Sequence, residues 1–150
     1  IIMKFENVTD KHRVLKAACI GIERNLDLAK DGDEGGLVEV VISLRQCGEY
    51  IAQQYLLHFG EKGRNDSLSE MLKRLEPLFQ KDQKDEYGRE FLKTLHRIKT
   101  EANSVIHSPE GRHVEVTMLT GLAENLDALL PQFYKDIPDK LKEQTEENMQ

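Results

Sequence analysis

Near the end of its most regular amphipathic segment the chain runs Ile98-Lys99-Thr100-Glu101-Ala102-Asn103-Ser104-Val105-Ile106-His107. Lys99 and Asn103, and again Asn103 and His107, are four residues apart, the spacing at which helix side chains become neighbours on one face. An amine, an amide and an imidazole then share a stripe able to hold a phosphate oxygen or a partner's backbone. At about 100° per residue, with the apolar centre near Ile98 and Ala102, the residues Lys99, Asn103, His96 and His107 follow one another around a single flank. One polar residue at such a boundary ordinarily snorkels or caps. Four on one flank make it the candidate binding surface. Asn103 is unusual inside a helix because its amide competes for backbone hydrogen bonds, so we expect it to brace a neighbouring helix while Lys99 and His107 face a partner.

Other chemistries find less support. His96, His107 and His113 are eleven and six residues apart, which matches no helical metal-ligand spacing, and no second Cys or His stands at zinc-like distance from Cys19 or Cys47. Ser104 and Ser108 lack a local acid–base arrangement, and neither cysteine lies near a histidine in sequence. The glycines in Asp31-Gly32-Asp33-Glu34-Gly35-Gly36 are not followed by the Lys-Ser or Lys-Thr of a phosphate-binding loop, so the segment reads as a flexible acidic turn. No metal and no cofactor is expected.

With 150 residues the chain suits one domain. Its 21 basic and 27 acidic residues give a net charge of −6, a poor match to sequence-independent duplex binding, which needs a clustered basic surface. Cys19 and Cys47 stand at apolar helical positions and read as buried free thiols, pointing to a reducing, cytoplasmic setting. No apolar run approaches the ~18 residues of a membrane span, and no signal peptide opens the chain. Because Ile1-Ile2 precede Met3, the start reads as a cut from something longer.

Five helices are needed to position the flank. The first spans Asp10 to about Lys30, and the second, from Leu37 to Phe59, ends at Gly60 and Gly63. Gly48 lies on its apolar face and marks a place where another helix should cross closely. The third starts at the capping box Ser67-x-x-Glu70, and Pro77 should kink or end it. The fourth covers about Asp85 to His107, stopped by Pro109, and the fifth about His113 to Tyr134. The domain is expected over 1–137, with 138–150 a charged tail, frayed or disordered.

The pattern Ile98-Lys99-x-x-Ala102-Asn103-x-Val105-Ile106-His107 resembles the Ile-Arg-x-x-Gly-Asn-x-Ala-Ala-His signature of a bacterial family of unknown function related to HEPN domains. That family also occurs as an N-terminal module of type I restriction endonuclease subunits. Leu44-Arg45-x3-Glu49-x2-Ala52 is similar to its Leu-Arg…Glu helix, and the resemblance covers roughly residues 37–134. It implies an all-α, HEPN-like up-and-down bundle with the second and fourth helices as core pair, and a homodimer, with Tyr55, Leu56 and Phe59 serving either core or interface. Active HEPN ribonucleases, metal independent, use an Arg-polar-x3-His motif in which the Arg binds phosphate. Here the Arg position is Ala102, and Lys99 stands where restriction-associated relatives have Arg. The expected function is therefore a non-catalytic interaction module of a defence or restriction system, docking a protein partner or a nucleic-acid end. The rivals are an endoribonuclease using His107 with Lys99 or Arg97, and an antitoxin or structural scaffold.

Overall fold

Apolar residues recurring every three to four positions leave a helix with one oily stripe, and five such stripes close around one core. The computed structural model describes residues 10–62, 66–82, 85–107 and 115–142. After a 3-10 turn at Asp10–His12 come α1 (Arg13–Lys30), α2 (Glu34–His58), α3 (Leu68–Lys81), α4 (Asp85–His107) and α5 (Val116–Asp136), with no strand among the described residues. Each helix packs on the next, and α2 touches all four others. The chain is an all-α helical bundle.

The most extensive pairing is α1 with α2, not α2 with α4 as expected. Small residues explain it. A Cβ on Gly36 would stand 3.0 Å from the Asn25 carbonyl oxygen and the Ala29 nitrogen, and one on Gly21 would stand 3.0 Å from Ser43 Oγ. The two helices run antiparallel in one register, with His12 beside Tyr50, Cys19 beside Cys47 and Gly21 beside Ser43. The expected flexible turn is correspondingly shorter. Asp33 caps α2 by accepting from the Gly35 and Gly36 amides at 2.8 and 3.2 Å, so these glycines belong to the helix, and only Asp31–Asp33 turns, with Gly32 at φ 94°. Gly60, at φ 83°, follows α2, whereas Gly63 lies outside the described residues.

Gly48 does meet other helices, through Leu95 of α4 and Leu68 of α3, but a Cβ there would lie 3.6–3.7 Å from them, in ordinary contact. The tighter approach is at Gly88 of α4, whose Cβ would stand 2.7 Å from the Cβ of Phe79. Pro77 does not end α3, which runs on to Lys81. Its ring is exposed, and the Lys73 carbonyl that loses its donor belongs to an exposed residue, so water can satisfy it. Ser67 caps α3, its hydroxyl accepting from the Glu70 amide at 3.3 Å.

Tyr55, fully buried, stacks or packs edge-on with Phe59, Phe79, Phe91 and Phe133. Its hydroxyl donates to Asp136 Oδ2 at 2.8 Å and lies 3.0 Å from the Tyr87 hydroxyl, which donates to the Leu129 carbonyl. Tyr55 and Leu56 are thus core residues, and Phe59 packs partly buried against the same core.

Beyond α5 the chain folds back along the bundle. Ile137 is buried, its carbonyl accepting from His12 Nε2 at 2.8 Å, and Leu141 exchanges two hydrogen bonds with the Gln54 amide, at 2.7 and 3.1 Å. The frayed tail expected from residue 138 is therefore corrected at Leu141, which docks on α2 through Gln54. The remainder of that tail, 143–150, lies outside the described residues.

Candidate functional site

On α4 the inward residues Phe91, Leu95, Ile98 and Ala102 are 0–1% exposed. Ala102 is thus a core residue, and an arginine at that position would have to leave the core to reach solvent. Around the helix from this line come Lys99, half-buried, then His96 and Asn103, both exposed. The structure brings these three onto one flank as the spacing predicts. His107 closes α4, but its side chain lies outside the described residues, as does His113.

Asn103 corrects an expectation. It stands about 100° round from Ala102, on the solvent side, so it cannot be the buried brace between helices. The hydroxyls nearby are occupied locally: Thr100 Oγ1 donates to the His96 carbonyl at 2.9 Å and Ser104 Oγ to the Thr100 carbonyl at 3.0 Å.

Lys99 Nζ lies 3.5 Å from His96 Nδ1, which accepts from it when the ring is neutral with its proton on Nε2. Partial burial and then the Lys99 charge push the His96 pKa below its ordinary value, with Glu76 of α3 opposing. The lysine thus leans toward the N-terminus of α4, the direction in which helix side chains tilt, and away from His107. Lys99 and His107 are also about 12 Å apart along the helix axis, at 1.5 Å per residue over eight residues. Arg97 is exposed about 200° round from Lys99, on the other flank, so the two cations do not converge.

Sequence reasoning missed what lies beside this flank. Between α3 and α4 is a groove of about 480 Å³ lined by Glu76, Phe79, Gln80, Gly88, Arg89 and Leu92. Without a Cβ at Gly88, α4 settles against Phe79, and in the groove beside this approach Leu92 offers an apolar surface among the polar side chains of Glu76, Gln80 and Arg89. Leu92, which lines the groove, and His96 are four residues apart on α4 and so neighbours on one helix face, which sets the groove beside the polar stripe. The only sequence signal was Gly88 in an otherwise strong helical pattern.

A second polar cluster is wholly internal. His12 is 0% exposed, holding the Tyr50 hydroxyl at Nδ1 (2.7 Å) and the Ile137 carbonyl at Nε2 (2.8 Å). The carbonyl can only accept, so Nε2 carries the proton and Tyr50, kept protonated by burial, donates to Nδ1. Nearby, the thiols of Cys19 and Cys47 are 4.0 Å apart, free and buried, as the sequence suggested. Among the described residues no group of three or more His, Cys, Asp or Glu is placed to hold a metal ion, and no helix is long and apolar enough to cross a membrane. Comparison of the chain with protein-family models, with curated proteins and with solved structures finds no match.

Proposed function

We propose that the chain is a non-catalytic helical interaction module that docks a protein segment along its α3/α4 face. The observation behind this reading is that Leu92 of the groove and His96 of the stripe are helix-face neighbours, so the groove lies beside the His96, Lys99 and Asn103 stripe on α4. An apolar side chain of the partner would pack on Leu92, where burial supplies affinity, and a carboxylate would meet the Lys99 ammonium, which supplies register. Protein is favoured over a nucleic-acid end because the groove rim pairs one acid with one base and the chain carries −6 overall. A cytoplasmic defence or restriction setting, and a HEPN-like origin, belong to the same proposal through the α4 signature.

Selection from a displayed peptide library tests it. The expected ligands pair an apolar residue with an acidic one, and binding falls at least about tenfold, or roughly 1.4 kcal/mol, in Leu92→Arg and in Lys99→Glu. Arg97→Ala, on the opposite flank, should bind as the parent does. Single-stranded RNA should stay intact, because Lys99 turns away from His107 and a lone histidine offers proton transfer without charge stabilisation. RNA cleavage that disappears in His107→Ala would replace this reading with the endoribonuclease.

A further inference from the structure

Two thiols on different helices, in contact and shut away from water, are an unusual use of cysteine. Cys19 of α1 and Cys47 of α2 are 1% and 0% exposed, and their sulfurs are 4.0 Å apart. A disulfide needs about 2.05 Å between sulfurs and closely spaced backbones. The backbones are brought near on the same face, because Gly21 against Ser43 and Gly36 against Asn25 and Ala29 leave no room for larger side chains between α1 and α2. Closure then asks for about 2 Å of sulfur movement, within the range of cysteine rotamer changes.

The surroundings also bear on the thiols. The Tyr134 hydroxyl is buried without a hydrogen-bond partner, and both thiols act on it electrostatically. A donor with no acceptor is costly in the closed fold. Hydrogen bonding to Cys47, followed by burial, holds the Cys19 thiol far above its ordinary pKa, so the closed bundle keeps the pair reduced.

We propose that Cys19 and Cys47 are a redox modification site, closing to an α1–α2 disulfide when a hydroperoxide reaches them through an opening of the hairpin. One thiolate attacks the peroxide O–O bond, giving a sulfenic acid and releasing an alcohol, or water from hydrogen peroxide. The second thiol attacks that sulfur, forming the S–S bond and expelling water. The two sulfurs give up two electrons, the peroxide takes them, and two thiols plus one hydroperoxide become one disulfide, one alcohol and one water. The cross-link pins residues 20–46 into a closed loop. It lies outside the α3/α4 groove, so it stands or falls independently of peptide docking.

The test treats the full chain with hydrogen peroxide, quenches it, then alkylates under denaturing conditions. The expected product has lost two hydrogens by intact mass and resists alkylation at both cysteines. Its digest joins the Cys19 and Cys47 peptides, and dithiothreitol restores both thiols. Its thermal midpoint should rise by roughly 4–10 °C, from the loop constraint less the strain of closure. Mild denaturant should speed closure by opening the hairpin. Cys47→Ser should leave Cys19 to end as a sulfinic acid without a cross-link. Oxygen added to the parent's cysteines in place of the cross-link, a disulfide between chains, or thiols unchanged even under mild denaturant would overturn the proposal.

Discussion

His96 is the residue of the polar stripe whose chemistry the fold adjusts. Its pKa is lowered by partial burial and by Lys99 and raised by Glu76, so Lys99→Ala should move its NMR titration upward and Glu76→Gln downward. Both variants shifting the same way would contradict the arrangement. The sign for stability follows from proton counting: the unfolded chain takes up a proton on His96 at a higher pH than the folded one. The contribution is therefore present above the ordinary histidine pKa and is lost as pH falls through the lowered value. The glycines make a sharper pair of expectations. Gly88→Ala gains about 1 kcal/mol of helix propensity but sets a methyl 2.7 Å from Phe79, close to its backbone, so overpacking of about 1–3 kcal/mol wins and chemical denaturation should show a loss. Gly48→Ala meets only ordinary contacts and should stabilise by about 0.5–1 kcal/mol. The sequence placed Lys99, His96 and Asn103 on their flank because angular position follows from spacing alone. It misjudged the depth of Asn103 because depth depends on how far neighbouring helices wrap, which spacing does not encode. Asn103→Ala, at an exposed position, is therefore expected within about ±0.5 kcal/mol of the parent.

At the scale of elements, α1, α2, α4 and α5 were legible as long 3.6-residue patterns, and α3 from its Ser67 cap. What was not legible was carried by single backbone positions. Pro77 leaves α3 unbroken because the orphaned carbonyl faces water, and Gly35 and Gly36 join α2 because Asp33 caps their amides. The segment after α5 was hardest to read, since its anchors His12 and Gln54 lie 125 and 87 residues from their partners and form no local pattern. Gln54 meets both the amide and the carbonyl of Leu141, so Gln54→Ala should release this strap while α2 stays folded. Hydrogen exchange at the Leu141 amide checks it: protection is expected to fall by at least about fivefold, the weight of one hydrogen bond of about 1 kcal/mol or more. Unchanged protection would mean that Ile137 and the exposed Lys11–Asp139 pair hold the strap unaided.

For the whole molecule, the expected homodimer has lost most of one imagined surface, because Tyr55 and Leu56 are buried in the core and Phe59 packs partly buried against it. Light scattering from micromolar to near-millimolar chain should give the mass of two copies if the HEPN-like reading holds, and a single-copy mass throughout removes it. The His12 and Lys11 contacts with Ile137 and Asp139 have a geometric meaning of their own. They bring the beginning and the end of the described bundle to one edge, so the described residues nearly close a ring. A short linker from 139 back to 11 and a new opening at Gly32 would yield a circular permutant with every helix in place. By the same geometry, the described bundle begins and finishes at one corner, and the opposite edge, with the Gly32 turn, is left clear of both.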